Sequence, residues 1–333
     1  MYDPLTHQRF GYCFYPKLEH NDKKQSTSVI MASPSENNVD RTTWRGVFPA
    51  VPTPFNGSVI DVDAFTKHLA ALQQSNVTGV VVAGTTGESL ALSNDERLLL
   101  LQTTKATIPK KRLICGIAAA ALPEALSQAR AAESAESDAL LVLPPYYVKS
   151  DPKALLTFFQ DILKATNLPI ILYNNPSRLG FQLSVDLIVT LAQNNQVVSL
   201  KEADPDLDRV ADLKKQCPDL PLLGGEDNLF PAFLAMGGDG LISVGANACP
   251  RLYTDLQNAW ERNDLAAFKD LLPTLHTFHA AFQQAPNPAV IKYILSHLGF
   301  GEETLRVPLS TLADEQKRLC QRMLPQDFCL KSA

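Results

Sequence analysis

PIILYNNPSR, residues 169–178, decides how the rest of the chain is read. Pro169–Tyr173 is a short apolar run without polar alternation, and it breaks off into a polar, proline-containing stretch. Continuous hydrophobicity marks a strand covered on both faces, as in a parallel sheet, whereas a strand with one wet face alternates. Outward from this stretch the same unit recurs. Apolar runs stand at Gly46–Ala50, Gly79–Ala83, Arg112–Gly116 and Ala139–Leu143 before it, and at Val197–Leu200, Leu220–Leu223 and Gly240–Val244 after it. The intervening segments read as helices: Asp63–Gln73, Asn94–Thr107, Pro123–Ser134, Asp151–Thr166, Ser184–Gln193, Leu207–Gln216, Leu229–Met236 and Arg251–Asn263. Ser93 and Glu96 are spaced as a capping box at the start of the second. Eight strands alternating with eight helices predict an α/β chain folded as a (β/α)8 barrel, the TIM-barrel architecture. An open, doubly wound sheet is the rival. Its fingerprint is missing, because Gly237-Gly238-Asp239-Gly240 precedes a strand instead of following one, and no GxxxxGK[ST] loop is present.

The barrel pattern occupies residues 44–250. Residues 251–333 supply the last barrel helix and a C-terminal helical appendage, with helices expected at Leu265–Gln284, Pro288–His297 and Leu312–Met323. Residues 1–43 mix both charge signs without a period and read as a mobile extension. Asp3, Glu19 and Asp22 argue against a transit peptide, no apolar core marks a secretory signal, and Met31 is an alternative start. The 333 residues are 45% hydrophobic and 20% charged, the balance of an ordinary globular protein. The net charge of −5, from 30 basic and 35 acidic residues, offers no footprint for nucleic acid or an anionic membrane. No apolar run approaches the ~18 residues of a membrane span. Six cysteines without a CxxC pair suggest neither zinc nor a disulfide framework, and point to a reducing, cytoplasmic setting. His276 and His279 share a helical face with no acidic or cysteine neighbour in sequence, so they read as surface residues and no metal site is expected.

In this architecture, chemistry sits at the C-terminal ends of the strands. Those ends carry Gly84–Glu88, Pro144–Tyr147, Tyr173–Arg178, Lys201–Ala203 and Gly224–Asp227. Lys201 directly follows Val197–Leu200, which sets an amine at the barrel mouth. Desolvation favours the neutral form of an amine, and a neutral amine condenses with carbonyl compounds to a Schiff base. A lone lysine at a strand end more often packs its stem and leaves its head in water. Tyr173 tips the reading, because it ends the adjacent run and supplies a phenol for proton transfer. Arg178 is either a surface residue or a bidentate clamp for a carboxylate. Thr85 and Thr86 either cap a turn, or bind a carboxylate and relay a proton.

GTTGE at 84–88, PPYY at 144–147, YNNPSR at 173–178 and KEA at 201–203 together resemble the dihydrodipicolinate synthase/N-acetylneuraminate lyase family of class I aldolases. VPTPF at 51–55 and GLISVGAN at 240–247 match in order and spacing, so the resemblance runs from residue 45 to about 315. It implies that Lys201 forms a covalent imine with pyruvate and that Tyr173 is its proton-transfer partner. Thr85 and Tyr147 complete a hydroxyl relay, with Tyr147 contributed across a subunit interface. Thr86 and the backbone at Ile242 hold pyruvate, and Arg178 receives the carboxylate of aspartate semialdehyde. The implied enzyme is a homotetramer or dimer of lysine biosynthesis with no dissociable cofactor. A lyase of the same family acting on a sugar-derived 2-keto acid is the alternative, disfavoured by Arg178; a catalytically inactive barrel is a third. Two loops depart from the family pattern, Gly116–Ala121 and Val148–Ser150. Ser89, Glu124 and Tyr146 resemble the lysine-binding surroundings of regulated members, but Asn94, Arg97, Ala118 and Ala120 do not. Arg97 is expected to repel a cationic effector, which predicts weak or absent inhibition by lysine.

Overall fold

The computed structural model describes residues 40–331. The readings for residues 1–39, including the mobile extension and the alternative start, lie outside the described residues. The eight runs form parallel strands: β1 (Gly46–Pro49), β2 (Gly79–Val82), β3 (Arg112–Ile117), β4 (Ala139–Val142), β5 (Ile170–Asn174), β6 (Val197–Glu202), β7 (Leu222–Gly224) and β8 (Gly240–Ser243). Each pairs with the next from β2 to β8, and β8 returns to β1 with Gly240 opposite Gly46. The ring closes between β1 and β2, where Thr78 N–H donates to the Val47 carbonyl and Val51 N–H to the Val81 carbonyl, each at 2.9 Å. Closure leaves no strand edge to template aggregation.

The pleat explains the unbroken apolar runs. In β4, Ala139 and Leu141 join Phe48, Ile114, Val198 and Ile242 inside the barrel. Leu140 and Val142 face outward into the larger core between sheet and helices. Both faces of each strand are dry, so both must be apolar.

Around the ring run α1 (Val62–Gln73), α2 (Asn94–Thr107), α3 (Leu122–Ser134), α4 (Pro152–Ala165), α5 (Val185–Ala192), α6 (Asp208–Gln216), α7 (Phe230–Ala235) and α8 (Pro250–Glu261). Four of them begin on side-chain caps from Asp61, Ser93, Asp151 and Ser184, each worth about 1 kcal/mol. The Ser93–Glu96 capping box is complete. Beyond the ring lie α9 (Leu265–Ala281), α10 (Ala289–His297) and α11 (Asp314–Met323). The first ends three residues before the expected Gln284. The last starts at Asp314 and not at Leu312, because Leu312 is a buried anchor ahead of the helix and the Gln316 side chain accepts from Ala313 N–H at 2.8 Å. Two further pieces are too short to show a period in sequence. These are the hairpin Phe55–Asn56/Val59–Ile60 and the four-residue helix Pro176–Leu179.

The tail packs back onto the start of α8. Leu330 N–H donates to the Ala248 carbonyl at 2.8 Å, and the free thiols of Cys249 and Cys329 bring their sulfurs to 2.7 Å. Among the described residues, no helix is long and apolar enough to cross a membrane.

Candidate active site

Lys201 is not beyond its strand, as the run Val197–Leu200 suggested, but inside it: β6 continues through Glu202. The reason is register. Tyr173 lies opposite Lys201 and Asn174 opposite Glu202, so the ladder with β5 extends past the apolar run. Alternation then sends Tyr173 and Lys201 into the barrel, and Asn174 and Glu202 outward. The Lys201 ammonium stands 4.3 Å from the centroid of the Tyr173 ring. Behind them, the buried Glu202 accepts from Asn174 Nδ2 at 2.6 Å and pairs with Arg209 at 3.3 Å. Burial pushes the Glu202 carboxyl up and the Arg209 guanidinium pulls it back. This outward pair locks β5 against β6 and thereby Tyr173 and Lys201 on the inner face.

Asn175 joins the next two groups. Its Oδ1 accepts from the Arg178 backbone N–H at 3.3 Å and from Ser177 Oγ at 2.7 Å, so it caps the short helix that carries Arg178. An N–H can only donate, which fixes the amide orientation and leaves Nδ2 to donate to the Tyr173 hydroxyl at 2.9 Å. The phenol oxygen is thus occupied as an acceptor, and its own proton remains free to be given away. On the opposite wall the β2 loop turns back on itself, with Gly87 N–H on the Gly84 carbonyl at 3.1 Å. Thr86 is buried there, and its Oγ1 accepts from Asn287 Nδ2 at 3.1 Å. Glu88 anchors this loop from below. Its carboxylate takes Lys292 Nζ at 2.7 Å and Arg306 N–H at 3.0 Å, while its backbone adopts φ +55°.

These walls enclose a cavity of about 230 Å³ at the C-terminal end of the barrel. Thr85, Thr86, Tyr173, Arg178 and Lys201 all line it. Two expected residues do not. Ile242 is buried in the barrel interior, and Tyr147 is 95% exposed with φ +71°.

Other lining residues escaped the sequence reading. Asn287, on the segment before α10, carries no chemical signature and meets Thr86 across a separation of 201 residues. Glu226 and Asp227 were visible at the end of β7 but had no assigned task. His279 corrects an expectation: it is not a surface residue but half-buried on the cavity wall, where burial holds its imidazole below the usual range. A helical face shared with the exposed His276 could not reveal that α9 folds over the barrel mouth. Arg97 is a second correction. It is 1% exposed and donates to the carbonyls of Gly116 at 2.9 Å, Ser89 at 3.2 Å and Ala83 at 3.3 Å. Its charge is directed at backbone between β2 and β3, so the expected repulsion of a cationic effector loses its basis. Among the described residues, no three His, Cys, Asp or Glu side chains group as a metal set.

Comparison with known proteins gives the same picture. The chain matches the Dihydrodipicolinate synthetase family over residues 43–327. It is 37% identical over 278 residues to the 4-hydroxy-tetrahydrodipicolinate synthase of Acidiphilium cryptum, covering 82% of this chain and 95% of that protein. The enzyme of the same name from Rickettsia bellii is 33% identical over 283 residues, with 84% and 96% covered. The crystal structure of dihydrodipicolinate synthase from Aquifex aeolicus superposes with a TM-score of 0.83 at 28% identity, covering 86% of this chain and 99% of that one. A parallel barrel with a lysine and a tyrosine side by side at its mouth, and relatives matched along nearly their whole length, place the chain among Schiff-base-forming enzymes of the class I aldolase type: it belongs to the dihydrodipicolinate synthetase family.

Proposed function

We propose that the protein is a 4-hydroxy-tetrahydrodipicolinate synthase, condensing pyruvate with aspartate semialdehyde. The observation that carries this reading is the Tyr173–Lys201 pair on adjacent strands, with Arg178 lining the same cavity. The Lys201 amine attacks the keto carbon of pyruvate, and water leaves to form the imine. Protonation of the imine nitrogen makes it an electron sink, so loss of a methyl proton gives an enamine without a dissociable cofactor. The enamine carbon attacks the aldehyde carbon, forming the new C–C bond, and the resulting alkoxide takes a proton. The substrate's own amine then displaces Lys201 at the imine carbon, which closes the ring and frees the lysine. Tyr173, with its proton available, moves protons in these steps, and Thr85 and Tyr147 extend the relay. Thr86 holds the pyruvate carboxylate and Arg178 the carboxylate of the aldehyde, and by family resemblance the backbone at Ile242 is a further pyruvate contact.

The exposed ring of Tyr147 supports an oligomer, at least a dimer and by family resemblance a tetramer, in which it enters a neighbour's site. A cytoplasmic location fits this metabolism. Sedimentation at assay concentration tests the assembly, and a fully active monomer would refute it. Incubation with pyruvate and borohydride, followed by peptide mass spectrometry, should locate a reduced adduct on Lys201. A coupled assay should then show turnover of aspartate semialdehyde above other aldehydes and sugar-derived 2-keto acids. Absence of the adduct, or preference for a sugar acid, would overturn the proposal.

A further inference from the structure

Among the described residues, four ionisable side chains lining the cavity make no ion pair or side-chain hydrogen bond: Lys201, Arg178, Glu226 and His279. The first two have tasks in the reading above. Glu226 has none, and it differs from the other carboxylates around the site. Asp227 beside it is held by the Gly245 N–H at 2.7 Å and the Val244 N–H at 3.2 Å. Glu88 is paired with Lys292, and Glu202 with Arg209. Glu226 reaches the cavity half-buried with neither carboxylate oxygen in a hydrogen bond, whereas Asp227 leaves only its Oδ1 without a partner.

Its position is tied to the reactive lysine through the residue before it. Gly225 N–H donates to the Glu202 carbonyl at 2.7 Å. A methyl group at position 225 would lie 3.1 Å from Lys201 Cε and 2.5 Å from Ala203 Cβ, so only glycine fits against the lysine stem. The chain therefore leaves β7 in contact with Lys201, and Glu226 is the next side chain. Burial and then the Asp227 charge push the Glu226 carboxyl up, while Lys201 and Arg178 pull it down. The carboxylate thus lies in the field of both cations without being bonded to either. A carboxylate taken out of water and left without a partner costs stability, and a bound cation offsets that cost.

The charges of the reaction identify the cation. Pyruvate brings one carboxylate. Aspartate semialdehyde brings a carboxylate and an ammonium group. In the proposed reaction, on which this inference rests, both carboxylates have receivers and the ammonium has none. We propose that Glu226 receives the ammonium of the aldehyde substrate, so that Arg178 and Glu226 together clamp its amino-acid end. Glu226 is then a specificity-determining residue that favours α-amino-acid aldehydes over analogues lacking the amine. Asp227 suits this task less: two backbone N–H groups already hold its Oδ2, and the residue is nearly fully buried, 8% exposed, so its remaining oxygen is less accessible to a substrate than the half-buried Glu226 carboxylate.

Steady-state kinetics at saturating pyruvate test this with wild type, Glu226→Gln and Glu226→Asp. Succinate semialdehyde, which keeps the chain length and carboxylate but has no amine, serves as competitor. Losing one charge-assisted hydrogen bond corresponds to roughly 10–100-fold in affinity. Glu226→Gln should raise the KM for aspartate semialdehyde by that factor, leaving the inhibition constant of succinate semialdehyde and the borohydride-trapped pyruvate adduct unchanged. Glu226→Asp, which keeps the charge, should recover part of the loss. Equal weakening of both aldehydes, or an unchanged KM in Glu226→Gln, would overturn the assignment while leaving the synthase reading intact. A wild-type enzyme inert toward aspartate semialdehyde but still trapped by pyruvate would instead remove the synthase reading, and this assignment with it.

Discussion

Lys201 and Lys292 are nearly the same residue in two places. They are 8% and 3% exposed, and each ammonium stands 4.3 Å from the centroid of an aromatic ring, Tyr173 for the first and Phe55 for the second. One thing separates them. Lys292 has Glu88 at 2.7 Å, whereas Lys201 has no carboxylate within bridging distance among the described residues. Burial pulls the Lys292 ammonium down and Glu88 opposes the shift, and the pair holds the β2 loop in place. Lys201 has no such counter-ion. Burial and ring contact are common to both lysines, and the counter-ion is what sets them apart.

Substitution at the two lysines should give opposite signatures. Lys201→Arg removes the only amine assigned to imine formation. It should abolish turnover and the borohydride-trapped adduct while thermal unfolding remains close to wild type. Tyr173→Phe deletes the proposed proton carrier beside Lys201, and general acid–base groups are worth about 10²–10⁴-fold, read here as a fall in kcat. Lys292→Met leaves the Glu88 charge buried and unpaired, which should destabilise the fold by about 3–5 kcal/mol in denaturant titrations. Adding Glu88→Gln should return much of that loss, because it removes the orphaned charge. Loss of adduct formation in a folded Lys292→Met protein would break the comparison by giving that lysine a chemical role.

Two smaller effects sharpen it. Arg178→Ala should weaken the aldehyde substrate by about 1.5–3 kcal/mol, measured as kcat/KM, with pyruvate trapping intact. On the structural side, hydrogen bonding from Arg306 holds the Glu96 carboxyl down to about 2. Its ordinary value is 4.5, so the pair stabilises the fold above that pH. The contribution should then be lost as pH falls toward 2. Glu96→Gln should flatten this part of the acid-unfolding curve, and only slightly, since solvent screens a partly exposed pair.

The barrel was legible because both of its signals are local. An unbroken apolar run reports a strand dry on two faces, and Ser93 with Glu96 reports a helix start, whatever the rest of the chain does. The placement of Lys201 and Tyr173 was legible for the same reason: each closes an apolar run, and in this architecture strand ends line the barrel mouth. His279 and Arg97 were misread because burial is not local. Both sit on amphipathic helices, and nothing near them in sequence says which face the barrel covers.

The sequence by itself thus determined the strands, most of the helices and the placing of Lys201 and Tyr173 at the barrel mouth. Tertiary structure decided which charges are spent and which are free. Lys292 meets Glu88 across 204 residues and Asn287 meets Thr86 across 201, contacts that exist only because α9 and α10 fold back over the β2 loop. Glu226 reaches the field of Lys201 and Arg178 only once the ring has closed and Gly225 has packed against the lysine stem. Periodicity and capping act over a few residues, whereas pairing and desolvation of charges depend on neighbours that chain closure alone brings together.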